Sequence, residues 1–161
     1  MIIVFLDIDG VLVHLNYNPS KRKIHRDFDP KCVEVLNKLT KETNAKIVIS
    51  STWRRIHPQN ELRNILKEAG VQAEVIGITP HFADLKDPAN SDRGQEILKW
   101  IQNNNHIEDY VVIDDDIYDI TPHIGRSHII HVSGGWLNGG LQEEHIKSIL
   151  NRGMITYADM V

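Results

Sequence analysis

Along this chain, short and continuously apolar runs rich in β-branched residues alternate with segments whose apolar positions recur at the helical period. The runs Ile2–Leu6, Lys46–Ser50, Ala73–Thr79, Tyr110–Asp114 and Ser127–Val132 predict strands. The helical spacing covers Asp29–Thr43, Asn60–Gly70, Ser91–Asn105 and Leu141–Leu150. Asp29 stands as an N-cap with Pro30 in the first turn, and Val33, Leu36 and Leu39 share one face. Gly70 supplies a C-terminal stop, and Ile97, Leu98 and Ile101 point inward from the third helix. Strands that are apolar at every position must be buried on both faces. The alternation therefore predicts an α/β three-layer sandwich around a central, mostly parallel five-stranded sheet.

No repeat, low-complexity tract or Pro/Gly/Ser-rich linker divides the sequence, so a single domain over residues 1–161 is expected. Two irregular segments, His14–Phe28 and Pro80–Asp92, are longer than ordinary connections and are candidates for function.

Composition narrows the picture only in part. With 41% hydrophobic and 25% charged residues over 161 positions, the chain reads as globular rather than disordered. A net charge of −4 excludes a chain that grips nucleic acid by its overall charge and leaves room only for a local basic patch. The single Cys32 excludes an intrachain disulfide framework and a cysteine-rich zinc site, and fits a reducing compartment. No apolar stretch approaches the roughly 20 residues of a membrane helix. The opening "MIIVFLDID" has neither the basic flank nor the cleavage site of a signal peptide. A cytoplasmic protein without membrane contact is expected.

Candidate chemistry lies where the strands end, since open α/β sheets bind ligands at their carboxyl edge. The first strand runs into Asp7, Asp9 and Gly10. The second runs into Ser50, Ser51 and Thr52, then Trp53, Arg54 and Arg55. The fourth runs into Asp114, Asp115 and Asp116, with Asp119 about one helical turn on. Clustered carboxylates repel one another and raise their own pKa values. A hard divalent cation relieves that repulsion, and all-oxygen ligands favour Mg²⁺. The plain alternative, acids serving only as helix caps after strands, explains one such cluster better than two clusters beside a row of hydroxyls.

These residues also resemble a family. "DIDGV" (Asp7–Val11) is similar to the D-x-D-G-[VT] signature of the haloacid dehalogenase (HAD) superfamily of phosphohydrolases, and "VIDDDIYDI" (Val112–Ile120) to its acidic fourth motif. The resemblance implies a Rossmann-like fold and a Mg²⁺ site drawing on Asp7, Asp9, Asp114 and Asp115. With Asp114 in place of the motif's usual glycine, Asp115 and Asp119 fall on its two acids, and either Asp114 or Asp115 faces the metal. It further implies that Asp7 is the nucleophile that forms an aspartyl-phosphate, and Asp9 the general acid and base. Asp9 lies two residues on, so an extended strand would point both side chains the same way. Gly10 lets the chain turn without a Cβ crowding the phosphate. The phosphate-binding hydroxyl is Ser50 or Ser51, with Ser50 preferred because it directly follows the apolar run. Arg93, at the start of the third helix, is preferred over Lys99 as the cation that offsets nucleophile and phosphate.

HAD enzymes often carry a cap inserted after the first motif or after the third strand, and neither gap here has room for a folded domain. An open site suits a phosphate at the end of a macromolecule. The loop "SKRKIHR" supplies Lys21, Arg22 and Lys23 beside the nucleophile, and Arg54 could extend that basic rim toward a polyanion. A solvated loop explains the same charges without a substrate, and Trp53 reads equally as a stacking face or as core. The layout is similar to the small capless HAD domains of RNA-repair proteins and to the phosphatase half of polynucleotide kinase-phosphatases. That implies a phosphatase acting on nucleic-acid 3′ ends. The alternatives are a nucleotidase-like phosphatase of small molecules and a HAD-like module that binds phosphate without catalysis. The oligomeric state is open. The nine histidines form no metal-binding spacing and are read as structural or surface groups. "SGGWLNGGL" (Ser133–Leu141) is read as a turn into the last helix.

Overall fold

The computed structural model describes residues 1–20, 27–82 and 92–153. Five strands, β1 (Ile2–Leu6), β2 (Lys46–Ile49), β3 (Val75–Ile78), β4 (Asp109–Asp114) and β5 (Ile129–His131), form one sheet in the order β3-β2-β1-β4-β5. Every pairing is parallel, as the unbroken apolar runs require. The helices are α1 (Pro30–Thr43), α2 (Gln59–Glu68), α3 (Arg93–Gln102), the short α4 (Gly135–Asn138) and α5 (Glu143–Arg152). Asp29 caps α1 as expected, its side chain accepting from Lys31 N at 2.9 Å.

The side chains of β1 alternate between two apolar layers. Ile2, Val4 and Leu6 join Leu36, Leu39, Leu62, Leu66, Ile146 and Ile149 from α1, α2 and α5. Ile3 and Phe5 join Ile97 and Trp100 of α3, together with Ile117, Ile120 and Ile124 from the segment after β4. The result is a small three-layer α/β sandwich of the Rossmann-like HAD kind, with no large cap among the described residues. No helix among the described residues is long and apolar enough to cross a membrane.

Chain order fixes where a ligand can sit. From β1 the chain steps outward through β2 to β3, then crosses back to the other side of β1 for β4 and β5. The strand order reverses between β1 and β4, and the crevice beyond the carboxyl ends at such a switch point is the natural binding place. Asp7 and Asp114 lie there.

Candidate active site

The sheet register assembles the site. Leu6 pairs with Ile49 on one side and with Ile113 on the other. The parallel ladder extends one step further, through Asp7 N donating to the Ile113 carbonyl at 3.0 Å and Ser50 N donating to the Leu6 carbonyl at 3.1 Å. Asp7 is therefore flanked by Ser50 and Asp114. By strand alternation all three side chains face the layer of α3, whose first residue is Arg93.

Carboxylate oxygens of Asp7, Asp114 and Asp115 lie within 4.8 Å of one another. Burial first, then the charge of Asp114 and the adjoining carboxyl of Asp115, hold the Asp7 carboxyl well above the usual carboxylate range. Burial also pushes Asp114 up to about 6, against the opposing pull of Arg93. Three clustered oxygen donors at this electrostatic cost fit a hard divalent cation such as Mg²⁺. Asp114 is already engaged at both oxygens: Oδ2 accepts from Arg93 Nη1 at 2.5 Å and Oδ1 from Asp116 N at 3.0 Å. Asp115 turns Oδ2 toward Gly10, where an added Cβ would stand 2.2 Å away, and its backbone carbonyl lies 3.2 Å from His131 Nε2. This favours Asp115 over Asp114 as the acid available to a cation. Gly10 turns the chain with φ of +81°, and the space where its Cβ would stand is occupied by the Asp115 carboxylate.

Asp119 does not join that cluster. It receives Arg93 Nη2 at 2.8 Å, Arg93 Nε at 3.1 Å and Arg93 N at 3.0 Å. Burial works to raise its pKa, but the bonds from Arg93 outweigh it and hold the carboxyl below the usual range. The expected supporting acid is thus a clamp on Arg93. Arg93 also donates to the Asp116 carbonyl, so one guanidinium ties α3 to the whole turn after β4. Burial opposes its charge, yet the carboxylates of Asp119 and Asp114 keep it firmly protonated.

The two serines differ sharply. Ser51 Oγ accepts from Trp53 N at 3.2 Å, capping a turn of 3₁₀ helix over Thr52–Arg55. Ser50 Oγ is buried with no hydrogen-bond partner among the described residues. A buried hydroxyl without a partner at a ligand edge is what a phosphoryl oxygen would satisfy. Asp9 lies beyond the end of β1, exposed, and Trp53 Nε1 donates to its Oδ2 at 3.0 Å. Although the residue is exposed, partial desolvation of its carboxyl raises the Asp9 pKa, the Trp53 bond lowers it and the charge of Asp115 raises it, with a net rise. Its side chain stands outside the group formed by Asp7, Asp114 and Asp115.

Arg54 corrects an expectation. Its side chain is 2% exposed and forms no basic rim. Nη2 meets Glu96 Oε2 at 2.5 Å, Nη1 donates to the Ser50 and Ser51 carbonyls at 2.8 Å each, and Nε donates to the Thr79 carbonyl at 3.2 Å. It clamps the ends of β2 and β3 to α3. Lys21, Arg22 and Lys23 lie outside the described residues. The Ser133–Leu141 segment is more than a turn: it contains α4, and a Cβ on Gly135 would meet the Gly10 carbonyl at 1.9 Å. This loop therefore braces the first motif from behind.

Searches of curated proteins and of solved structures return no match. A family model described as the HAD domain in Swiss Army Knife RNA repair proteins matches residues 3–146, and the chain therefore belongs to that family of the haloacid dehalogenase superfamily of phosphatases.

Proposed function

We propose that this chain is a Mg²⁺-dependent phosphomonoesterase that works through an aspartyl-phosphate on Asp7 and removes accessible phosphates, foremost those at nucleic-acid 3′ ends. The observation that carries the reading is the register that sets Asp7 between the unpartnered hydroxyl of Ser50 and the carboxylates of Asp114 and Asp115. Asp7, Asp115 and, less freely, Asp114 would hold the cation, which supplies charge neutralisation at the phosphoryl oxygens.

In the first half-reaction an Asp7 carboxylate oxygen bonds to phosphorus while the ester P–O bond breaks, and the departing oxygen takes the proton of the Asp9 carboxyl. The Ser50 hydroxyl donates to a phosphoryl oxygen. Arg93 holds Asp114 and Asp119 in place and offsets the local negative charge. In the second half-reaction Asp9, now a carboxylate, accepts a proton from water as that water's oxygen bonds to phosphorus and the Asp7–phosphorus linkage breaks. Inorganic phosphate leaves and both acids return to their starting states.

Two features support a macromolecular substrate. The family is described by its place in RNA-repair proteins. In addition, Leu15, Ile56, Tyr118 and Leu137 are exposed large apolar side chains, and all four lie on the segments that follow β1, β2, β4 and β5, Leu137 within α4. Bases and riboses beside a terminal phosphate suit such a rim. The test is phosphate release from a 3′-phosphorylated oligonucleotide, a 5′-phosphorylated one and free mononucleotides, each with Mg²⁺ and with chelator. Preferred Mg²⁺-dependent turnover of the 3′ end supports the proposal; a large preference for mononucleotides overturns its substrate, and metal-independent turnover overturns its mechanism.

A further inference from the structure

The structure assigns Trp53 as a positioning residue for Asp9: its indole N–H fixes one carboxyl oxygen and leaves the other to exchange the proton with the leaving group and then with water. The inference rests on the role given to Asp9 under the proposed function. Its geometric basis is independent of that role.

Asp9 is exposed and sits past the end of β1, so no strand ladder orients its side chain. An exposed aspartate ordinarily samples several rotamers. The Trp53 Nε1 bond to Oδ2 at 3.0 Å removes that freedom. An indole N–H is a donor only, so it can bind an acceptor oxygen but cannot itself relay a proton. Oδ2 is thereby committed, and Oδ1 is the oxygen left for chemistry.

Trp53 is itself held from several directions. Ser51 Oγ accepts its backbone N–H at 3.2 Å, which fixes the start of the 3₁₀ turn. Its ring meets Phe28 edge-on with centroids 5.7 Å apart and His57 at 5.7 Å. Phe28 bridges back to Val13 just beyond the first motif. The donor thus belongs to a braced aromatic cluster and not to a free surface side chain, which is what preorganisation of a proton-transfer group requires. The general-acid requirement grows as the leaving group becomes more basic. A misplaced Asp9 therefore harms an alkyl or ribose phosphate far more than an activated aryl phosphate.

The experiment compares wild type with Trp53→Phe, which keeps the ring and loses the donor, on a 3′-phosphorylated oligonucleotide and on p-nitrophenyl phosphate. The expected result is a fall in kcat/KM, which reports the transfer of phosphate to Asp7, at least about 10-fold larger for the oligonucleotide than for the aryl ester. That differential is expected to vanish when Trp53→Phe is placed in an Asp9→Asn background. The bond itself is read without turnover from the Trp53 indole N–H resonance, assigned by its loss in Trp53→Phe. Asp9→Leu should move that resonance upfield and speed its exchange with solvent. An equal loss of kcat/KM on both esters, no loss on either, or an indole signal indifferent to Asp9→Leu overturns the assignment. No turnover of either ester by the wild type overturns the phosphatase reading, and the role of Trp53 with it.

Discussion

Replacing Arg54 with methionine is expected to lower the stability of the whole domain instead of selectively weakening substrate binding. Arg54 and Glu96 are 2% and 0% exposed at their side chains, and the pair is 2.5 Å apart. Burial disfavours both charges, pushing the Arg54 pKa down and the Glu96 pKa up, and each group opposes that shift in the other. Breaking a buried pair by removing one partner costs about 3–5 kcal/mol, because the survivor remains desolvated. The carbonyls of Ser50, Ser51, Thr79 and Pro80 lose a donor as well, and water entering the vacated space recovers part of that loss. A net cost of about 4 kcal/mol is a large share of the 5–15 kcal/mol typical of a domain. For a chain of this size it lowers Tm by about 8–16 °C. Urea and thermal unfolding of Arg54→Met, Glu96→Gln and the double variant measure it. Glu96→Gln should cost less, since the amide oxygen still accepts from Nη2, and the double variant should cost less than the sum. If Arg54→Met melts with wild type and only raises KM for an oligonucleotide, Arg54 belongs to the substrate surface and the clamp is wrong.

Three further outcomes follow from the same geometry. Ser51→Ala removes a cap and should cost about 1 kcal/mol of stability with a modest rate effect, whereas Ser50→Ala should be near neutral in urea yet lower kcat/KM by about 10²-fold; equal behaviour of the two contradicts the assignment. Gly10→Ala places a Cβ 2.2 Å from Asp115 Oδ2 and should weaken the Mg²⁺ midpoint of activity by about 10-fold or more, so an unchanged midpoint argues against Asp115 as a ligand. Asp7 is raised and Asp114 is raised to about 6 in the folded chain. Between the unfolded value near 4 and the folded one, the native state binds more protons than the unfolded state. Metal-free stability must then fall as pH rises through that window. Added Mg²⁺, which competes with those protons, should raise Tm more at pH 8 than at pH 5; an equal rise at both contradicts the cluster.

The sequence made the elements legible because their local signals agree. Continuous β-branched runs mark buried strands, and Asp29, Pro30 and Gly70 punctuate helices, so most observed ends fall within a residue or two of the expected ones. The strand order was not legible, since spacing does not say that β4 returns beside β1. Asp7, Asp114, Asp115 and Ser50 were legible as strand-end residues, and the register brings them together. Arg54 was not legible as a buried clamp, because its partner Glu96 is remote in sequence. A hint existed: Glu96 and Trp100, four apart, share the buried face of α3. Asp119 was legible as a supporting acid of the turn after β4, but not as the clamp on Arg93, because Arg93 arrives from another element. Trp53 carried an ambiguous signal, and only the fold brings its N–H to Asp9.

The most direct test of the central claim is to trap phosphate on Asp7. In Asp9→Asn an activated aryl phosphate should still phosphorylate Asp7, since its leaving group needs no acid, while hydrolysis of the linkage stalls. A burst of one aryl alcohol per chain is expected in the presence of Mg²⁺, with one phosphoryl group on the peptide containing Asp7 by mass spectrometry of acid-quenched protein. No burst, phosphate on another residue, or steady turnover by Asp7→Asn would contradict it.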